Sequence, residues 1–307
     1  MKKYFILVLA FLMLMAIASV VSADILEEIE GCCCHSTLYT HRIGGDDRVE
    51  TAIEISKFLM PEINGKETDL IATSMGIAQV PFDRTVIICR SDDYPDALAA
   101  AGLAGQIPGL MRAPILLNNS STLDPRVEDE LDRLYGGFDD LGEGDVIFLI
   151  GGEGALSSSI EDDLEDFGFR VERLGGANRY ETATLIADEI DDINEIDGIF
   201  ICTGENWPDA LAAAAFACWN GDWPILLVQQ DNIPGPTLDW LLANKEHDAY
   251  VIGGPGVISS DVMSDLGFYL DGDVERVYGD NRYETCIALA EHPDLWNMPP
   301  TDEPDTD

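Results

Sequence analysis

The chain has 307 residues, of which 46 % are hydrophobic and 8 % aromatic, enough for about two domains with their own cores. It carries 17 Lys and Arg against 58 Asp and Glu, a formal net charge of −41. This balance excludes nucleic acid as a partner, because phosphate contacts need clustered basic residues. An acidic, lysine-poor surface is typical of proteins that work in high salt, so we expect a halophilic or archaeal source.

The N-terminus predicts export. Residues 1–23 begin with two lysines, continue through an apolar run from Tyr4 to Val21, and end in small residues. This pattern is typical of a secretory signal peptide cleaved after Ala23. The apolar run is long for such a signal, so an uncleaved membrane anchor is the alternative. Either outcome predicts a secreted protein at the cell surface or in the cell envelope.

The cysteines fall into two groups. Residues 24–40 form a Cys-rich linker in which three consecutive cysteines, Cys32 to Cys34, precede His35. Adjacent cysteines lack the spacing of a zinc site, so we predict no metal there, whereas disulfides and a free thiol both remain open. The other four cysteines read as small buried hydrophobic residues: Cys89, Cys202, Cys218 and Cys286.

The rest of the chain is a repeat. An opening motif, RIGGDDRVETA at residues 42–52, returns as RLGGANRYETA at 173–183 and RVYGDNRYETC at 276–286. Three further blocks appear twice in the same order: 86–104 with 199–217, 113–117 with 223–227, and 146–159 with 249–261. The organisation predicted is repeat 1 at 41–172, repeat 2 at 173–275, a partial third repeat or closing helix at 276–292, and an acidic disordered tail at 293–307. Repeat 1 also carries an insertion around residues 65–83, which we expect to be a surface loop.

Within each repeat, strands and helices alternate. VIIC and IFIC are β-branched apolar runs typical of buried parallel strands, and PDALAAA follows each as a helix with proline in its first turn. PILL and the VIFLIGG and YVIGG segments predict the next strands, helices follow them, and VERL and VERV complete the sheets. The fold class predicted is α/β, with tandem Rossmann-like three-layer units and parallel sheets.

The opening motif contains the signals of a helix start. Asp47, Asn178 and Asn281 are good N-cap residues, each followed three positions later by glutamate, which is capping-box spacing. The arginines of the motif are less easily explained by structure, since six of the chain's twelve occur in its three copies. One interpretation is ion pairing with acids such as Asp96 and Asp209. The other is that these guanidinium groups form a set of forks that bind a polymer carrying carboxylate or phosphate groups.

The loops SDDYPDA and GENWPDA lie where the carboxyl end of a strand meets a helix, the usual ligand crevice of an open α/β sheet. Tyr94 and Trp207 in these loops suit stacking on a sugar ring, or equally an aromatic plug between layers. The glycine-rich turns GGEGALSS and GGPGVISS lack the full dinucleotide and P-loop fingerprints, which argues against a nucleotide cofactor. Four histidines, none at matching positions in the repeats, argue against a repeated catalytic triad or metal site.

Taken in order, RLxGxNRYETA, NWPDALAAA, PILL and the VIGGPGVIS segment resemble the cell wall-binding repeat, type 2, of surface-layer-associated proteins. The resemblance spans residues from about 40 to 290. It implies α/β repeats, three of them about a pseudo-threefold axis, that bind an anionic wall glycopolymer without catalysis. On this resemblance the ligand-binding positions are Arg48, Arg179 and Arg282 with Asn178 and Asn281, and the loops at Asp96 and Asp209. The third repeat is incomplete here, which puts the closed threefold in question.

The sequence thus favours an exported, non-enzymatic protein that binds an envelope glycopolymer or surface layer, without cofactor. Tyr94 and Trp207 complete the predicted glycan-binding set. Divalent cations or salt would have to offset the charge between this protein and an anionic ligand. One alternative is a carbohydrate-active or nucleotide-sugar-binding enzyme that uses Asp96 and Asp209. Another is a structural surface protein that self-associates through its alanine-rich helices.

Overall fold

The structure is a computed structural model that describes residues 42–60, 62–63, 66–67, 85–106, 113–138, 141, 145–220 and 222–295. The predicted signal peptide, the Cys-rich linker with Cys32 to Cys34 and His35, most of the insertion and most of the acidic tail lie outside these residues. Within them, no helix has the length and apolar character needed to cross a membrane.

The first repeat alternates helices and strands as its sequence predicts. Its opening helix and a short antiparallel pair of strands are α1 (Arg48–Leu59), β1 (Glu62–Ile63) and β2 (Lys66–Glu67). The main unit then runs β3 (Thr85–Arg90), α2 (Pro95–Gln106), β4 (Ile115–Asn118), α3 (Pro125–Tyr135), β5 (Val146–Ile150), α4 (Ser158–Asp166) and β6 (Arg170–Leu174).

The second repeat follows the same order, and one helix of the third opening motif comes after it. Its elements are α5 (Arg179–Ile193), β7 (Gly198–Thr203), α6 (Pro208–Asn220), β8 (Ile225–Val228), α7 (Gly235–Ala243), β9 (Asp248–Ile252), α8 (Ser260–Tyr269) and β10 (Val274–Val277). Helix α9 (Arg282–Glu291) and a 3₁₀ turn (Pro293–Leu295) end the described chain.

Each repeat builds one four-stranded parallel sheet, with strand order β4-β3-β5-β6 in the first and β8-β7-β9-β10 in the second. The predicted α/β class with parallel sheets is confirmed. Parallel strands covered by helices on both faces have to be apolar throughout, and the four residues at the centre of β3 and all six of β7 are buried.

The two faces of the first sheet belong to different cores. Val86 and Ile88 of β3 pack with α1, α3 and α4 in a core of the first repeat alone. Ile87 and Cys89 point to the opposite face, as alternate residues of a strand must, and join a core that continues through α2, α5 and α6 into the second sheet. The four cysteines predicted to be buried are confirmed as buried free thiols.

The alanine-rich helices α2 and α6 form the boundary between the repeats and pack against each other. Their approach is close, because a Cβ on Gly105 of α2 would lie 2.2 Å from the main-chain oxygen of Cys218 in α6. Each PDALAAA helix is also covered by the opening helix of the following motif, α2 by α5 and α6 by α9. We call the loops SDDYPDA (residues 91–97) and GENWPDA (residues 204–210) the PDA loops. The opening motif of one repeat is thereby brought to the PDA loop of the repeat before it.

Candidate functional site

The three copies of the opening motif start their helices in the same way. The side chains of Asp47, Asn178 and Asn281 are the N-caps, and each accepts a hydrogen bond from the main-chain N–H of the glutamate three residues later. Each glutamate accepts from the main-chain N–H of the residue before the cap, as Glu181 Oε2 does from Ala177 at 2.8 Å. In the third copy Glu284 Oε1 also accepts from the side-chain amide of the cap residue Asn281 at 2.9 Å. A glycine is required beside each glutamate, since a Cβ on Gly176 would lie 2.5 Å from Cβ of Glu181. Most of the motif is therefore explained by the helix start.

The first arginine of the motif has a structural role in the two copies where it is well packed. Arg173 Nη1 donates to the carbonyl oxygens of Gly151 and Leu156, both at 2.9 Å. Arg276 Nη1 donates to the carbonyl of Gly253 at 2.6 Å. These guanidinium groups hold the glycine-rich turn that follows the third strand of each sheet, where Gly151 and Gly253 adopt φ of 111° and 122°.

The second arginine lies at the carboxyl end of a sheet. Arg48 Nη1 donates to the carbonyl of Ser91, and Arg179 Nη1 donates to the carbonyl of Gly204, each at 2.5 Å and each after the first main strand of its own repeat. Arg282, the matching residue of the third copy, makes no hydrogen bond to any of the described residues. The three arginines predicted to act alike thus differ in what holds them.

The first junction brings together Asp93, Tyr94 and Asp96 of repeat 1 with Asn178 and Arg179 of repeat 2. The guanidinium carbon of Arg179 lies 5.9 Å from the centre of the Tyr94 ring, and its Nη2 donates to Asp93 Oδ2 at 3.4 Å. The arginine therefore pairs with Asp93 and not, as the ion-pair interpretation expected, with Asp96. Tyr94 is part-buried against the shared core with Arg179 on one face, an arrangement that joins the repeats.

The second junction repeats this arrangement with Trp207, Asp209, Asn281 and Arg282. The guanidinium carbon of Arg282 lies 5.1 Å from the centre of the Trp207 ring. The side chain of Thr285 in α9 lies near Asp209 and acts to lower the pKa of its carboxyl group. Arg48 has no counterpart to these contacts, because the described chain holds no PDA loop ahead of it.

Burial perturbs both aspartates of the PDA loops. Asp96 and Asp209 are each 9 % exposed, and loss of hydration raises the pKa of each above its ordinary value. Nearby charges counteract the shift: Arg90 and then Arg179 lower the pKa of Asp96, whereas Asp93 raises it. For Asp209 the opposing influences on the pKa are the side chain of Thr285 and the charge of Arg282.

Sequence reasoning missed several polar residues along the carboxyl edge of the second sheet. Glu205 Oε2 accepts from the main-chain N–H of Gln230 at 3.0 Å, and Gln230 Nε2 donates to the carbonyl of Gly256 at 3.1 Å. Burial raises the pKa of the Tyr180 hydroxyl, and the nearby side chain of Gln229 acts in the opposite direction. The presence of Glu205 in the GENWPDA loop could have marked it as a site residue. Gln229 and Gln230 belong to no recognisable motif, and only the strand order places them at this edge of the sheet.

The described residues offer little support for a metal site or a reactive thiol at the junctions. Within the described ranges no three His, Cys, Asp or Glu side chains gather closely enough to hold a metal ion. The thiols of Cys89 and Cys202 lie near Asp96 and Asp209, but burial raises their pKa well above the ordinary value, which disfavours the thiolate.

The fold and its junctions define a tandem α/β repeat protein with polar contacts between successive repeats. Residues 42–161 and 173–263 match the family model Cell wall binding domain 2 (CWB2), and the chain belongs to that family. The predicted family resemblance is confirmed.

Three relatives illustrate the match. The chain is 27 % identical over 250 residues to N-acetylmuramoyl-L-alanine amidase LytC of Bacillus subtilis (strain 168), covering 81 % of this chain and 42 % of that protein. It is 30 % identical over 218 residues to the Amidase enhancer of the same strain, covering 71 % and 27 %. The solved structure of Cwp6 from Clostridium difficile superposes with a TM-score of 0.64 and 25 % identity, covering 88 % of this chain and 39 % of that one.

The chain spans less than half the length of each of these three proteins. What it has in common with them is the cell wall-binding region, and CWB2 is a binding domain. A role in binding the cell wall and a location at the cell envelope follow from this membership.

Proposed function

We propose that the chain is an exported, non-enzymatic protein that binds a glycopolymer of the cell envelope or surface layer through its junctions. The observation that carries this proposal is a repeated one. At both junctions an arginine lies over an aromatic ring, beside a buried carboxylate, at the carboxyl end of a parallel sheet. Ligands of open α/β sheets bind at this edge.

The polar side chains at this edge suit a sugar. The amide of Gln230 and the carboxylates of Asp93 and Glu205 offer donors and acceptors on short, well-held side chains. Such groups can exchange hydrogen bonds with hydroxyl groups at little cost in side-chain freedom.

The chemistry of the junctions supports binding rather than turnover. A nucleophilic mechanism needs an activated nucleophile with a base in reach. The thiols nearest the junction carboxylates are fully buried and disfavoured as thiolates, and Asp96 and Asp209 lie at different junctions. The two aspartates therefore do not form an acid–base pair.

A retention assay tests the proposal. Purified protein is incubated with isolated envelopes of the producing cells in a series of salt and Ca²⁺ concentrations, and the bound fraction is measured after sedimentation. We expect wild type to be retained and Arg179→Ala/Arg282→Ala to be retained less.

The matched control is Lys57→Ala/Arg170→Ala, which removes two exposed cations that pair with Glu54 and Glu172 away from the junctions. It should bind as wild type does. Absence of wild-type retention at every salt concentration would refute envelope binding, and equal losses in the two double variants would show that only net charge matters.

A further inference from the structure

The opening helices α1, α5 and α9 carry matching residues on one face, and only in the third copy is that face exposed. The matching pairs are Val49 and Ile53 in α1, Tyr180 and Thr184 in α5, and Tyr283 and Ile287 in α9. Both residues of α1 are 5 % exposed, whereas those of α9 are 65 % and 49 % exposed. Because the two residues of α9 are one helical turn apart, they form one apolar patch, which we call the outer face of α9.

In the first two copies this face is covered by the sheet of the repeat that it opens. Helix α1 packs on β4 and α5 packs on β8, the edge strands ILLN and ILLV. The arginine next to the face donates to the main-chain carbonyl that follows the first main strand of the same sheet, Arg48 to Ser91 and Arg179 to Gly204. The surface that fits this face is therefore an apolar edge strand beside a strand end that offers a carbonyl oxygen.

In α9 neither part of this arrangement has its partner among the described residues. The helix packs on α6 and β10, which lie on its inner side. Arg282, the match of Arg48 and Arg179, lies over the ring of Trp207 and makes no hydrogen bond to any described residue. The outer face of α9 is thus one half of an interface that the chain forms twice elsewhere.

Helix α1 is the complementary case, since its sheet side is covered and its other side is open. It packs mainly on β4 and α3, whereas α5 packs on β8, α7 and the alanine-rich helix α2. Ile186 and Ile190 of α5 are buried on the α2 side. Ile55 and Leu59, at the matching positions of α1, are part-exposed. A helix held from one side is more easily displaced than one that is packed on both.

We propose that the chain assembles with itself through α9, whose outer face takes the place of α1 on the first sheet of a second copy. Arg282 then donates to the carbonyl of Ser91 of the second copy, and Ile287 packs where Ile53 lay. Helix α9 is thereby covered on both sides, as α5 is within the chain. Since the two surfaces in contact are different, the interface is heterologous and builds rings or linear arrays of molecules. Such assembly does not require envelope binding.

Salt should control the assembly. Molecules of net charge −41 repel each other at low ionic strength. The range of this repulsion falls from about 10 Å at 0.1 M salt to about 3 Å at 1 M. The proposed contact is mainly apolar, so screening removes the repulsion and leaves the attraction. Association should therefore strengthen as salt rises.

Sedimentation equilibrium of the purified protein, in reducing buffer at low and high NaCl, measures the association. We expect it to depend on concentration and to be stronger at high salt. Ile287→Glu places a carboxylate on the outer face of α9 and should weaken association at least about tenfold, because burial of an unpaired charge is unfavourable. The matched control is Phe268→Glu, which makes the same change of charge at a residue of α8 that is 83 % exposed. It should associate as wild type does.

Ile53→Val tests whether α1 is the helix that is displaced. It removes one buried methyl group from the contact of α1 with the first sheet, so exchange becomes easier and association should strengthen by about threefold to tenfold. Ile160→Val removes the same group from α4 in the same core and should leave association unchanged.

Three outcomes overturn the proposal. Wild type that stays monomeric at every salt concentration refutes self-assembly. Equal weakening by Ile287→Glu and Phe268→Glu refutes α9 as the surface. Weakening by Ile287→Glu alone, with no effect of Ile53→Val, refutes the exchange with α1 and indicates that α9 contacts another surface, such as a second α9.

Discussion

The guanidinium carbon of Arg179 lies 5.9 Å from the centre of the Tyr94 ring. This contact joins the start of the second repeat to the SDDYPDA loop of the first. The same arginine hydrogen-bonds the carbonyl of Gly204 in its own repeat. One side chain therefore connects both sheets. Arg48 makes only the second kind of contact, to the carbonyl of Ser91.

This difference predicts unequal losses of stability. Arg48→Ala should lower the free energy of unfolding by about 1 kcal/mol, the net value of one hydrogen bond. Arg179→Ala should cost about 1 kcal/mol more, because the ring contact and the pair with Asp93 are lost as well. Urea unfolding of the two variants measures the difference, and equal losses would mean that the contact with Tyr94 contributes nothing.

A second prediction concerns the close approach of the repeats. A Cβ on Gly105 would lie 2.2 Å from a main-chain oxygen of α6, so Gly105→Ala has to push the helices apart and should destabilise by about 1–3 kcal/mol. Gly267 is the control, since it lies on the exposed side of α8 with nothing within 4 Å of an added Cβ. Gly267→Ala should stabilise by about 0.5–1 kcal/mol through helix propensity. Thermal melting distinguishes the two, and a neutral Gly105→Ala would contradict the packing of α2 on α6.

Much of the fold could be predicted because its signals are local. Each strand is a short apolar run, each opening helix has its cap at Asp47, Asn178 or Asn281, and the blocks recur in order. Repetition adds a check within the sequence itself, since a pattern that appears twice is rarely accidental. These features depend on neighbours within a few residues.

The junctions could be predicted only in part, because their contacts are not local. Asp93 and Arg179 are 86 residues apart, and nothing in their spacing says that they meet. The PDALAAA segments of Asp96 and Asp209 are identical in sequence, yet the pKa of Asp96 responds to Arg90, Asp93 and Arg179, whereas that of Asp209 responds to Thr285 and Arg282. That distinction depends on how α5 packs on α2 and how α9 packs on α6, which the sequence pattern does not show.

A pH dependence of stability is expected at Asp222, in the turn just before β8. Burial raises the pKa of Asp222 to about 6, and the neighbouring carboxyl of Asp197 contributes in the same direction. Because the folded state binds this proton more tightly than the unfolded state, stability falls as pH rises from about 4 to about 6 and the penalty is complete above that. Asp222→Asn should therefore match wild type near pH 4 and exceed it at pH 7 by about 1 kcal/mol, a value reduced for solvent screening of a half-buried group.

Urea unfolding at pH 4 and at pH 7 measures this gain. Asp265→Asn removes the same charge from an exposed position on α8 and serves as the control for net charge. If both variants gain equally at pH 7, general charge repulsion accounts for the effect. A gain confined to Asp222→Asn identifies the buried carboxyl as its source.

Helix α9 is predicted to close the second repeat rather than to begin an independent unit. Its inner side covers α6, where Leu289 is fully buried, whereas Ile287 is 49 % exposed at the position that Thr184 holds, buried, in α5. Leu289→Ala should lower the free energy of unfolding by about 2–5 kcal/mol, the cost of a cavity in a packed core. Ile287→Ala should change it by no more than about 0.5 kcal/mol, as surface substitutions do.

Urea unfolding followed by tryptophan fluorescence should then show one transition in both variants, shifted only for Leu289→Ala. A separate early transition that Leu289→Ala alone affects would mean that α9 unfolds on its own and is not part of the second repeat's core.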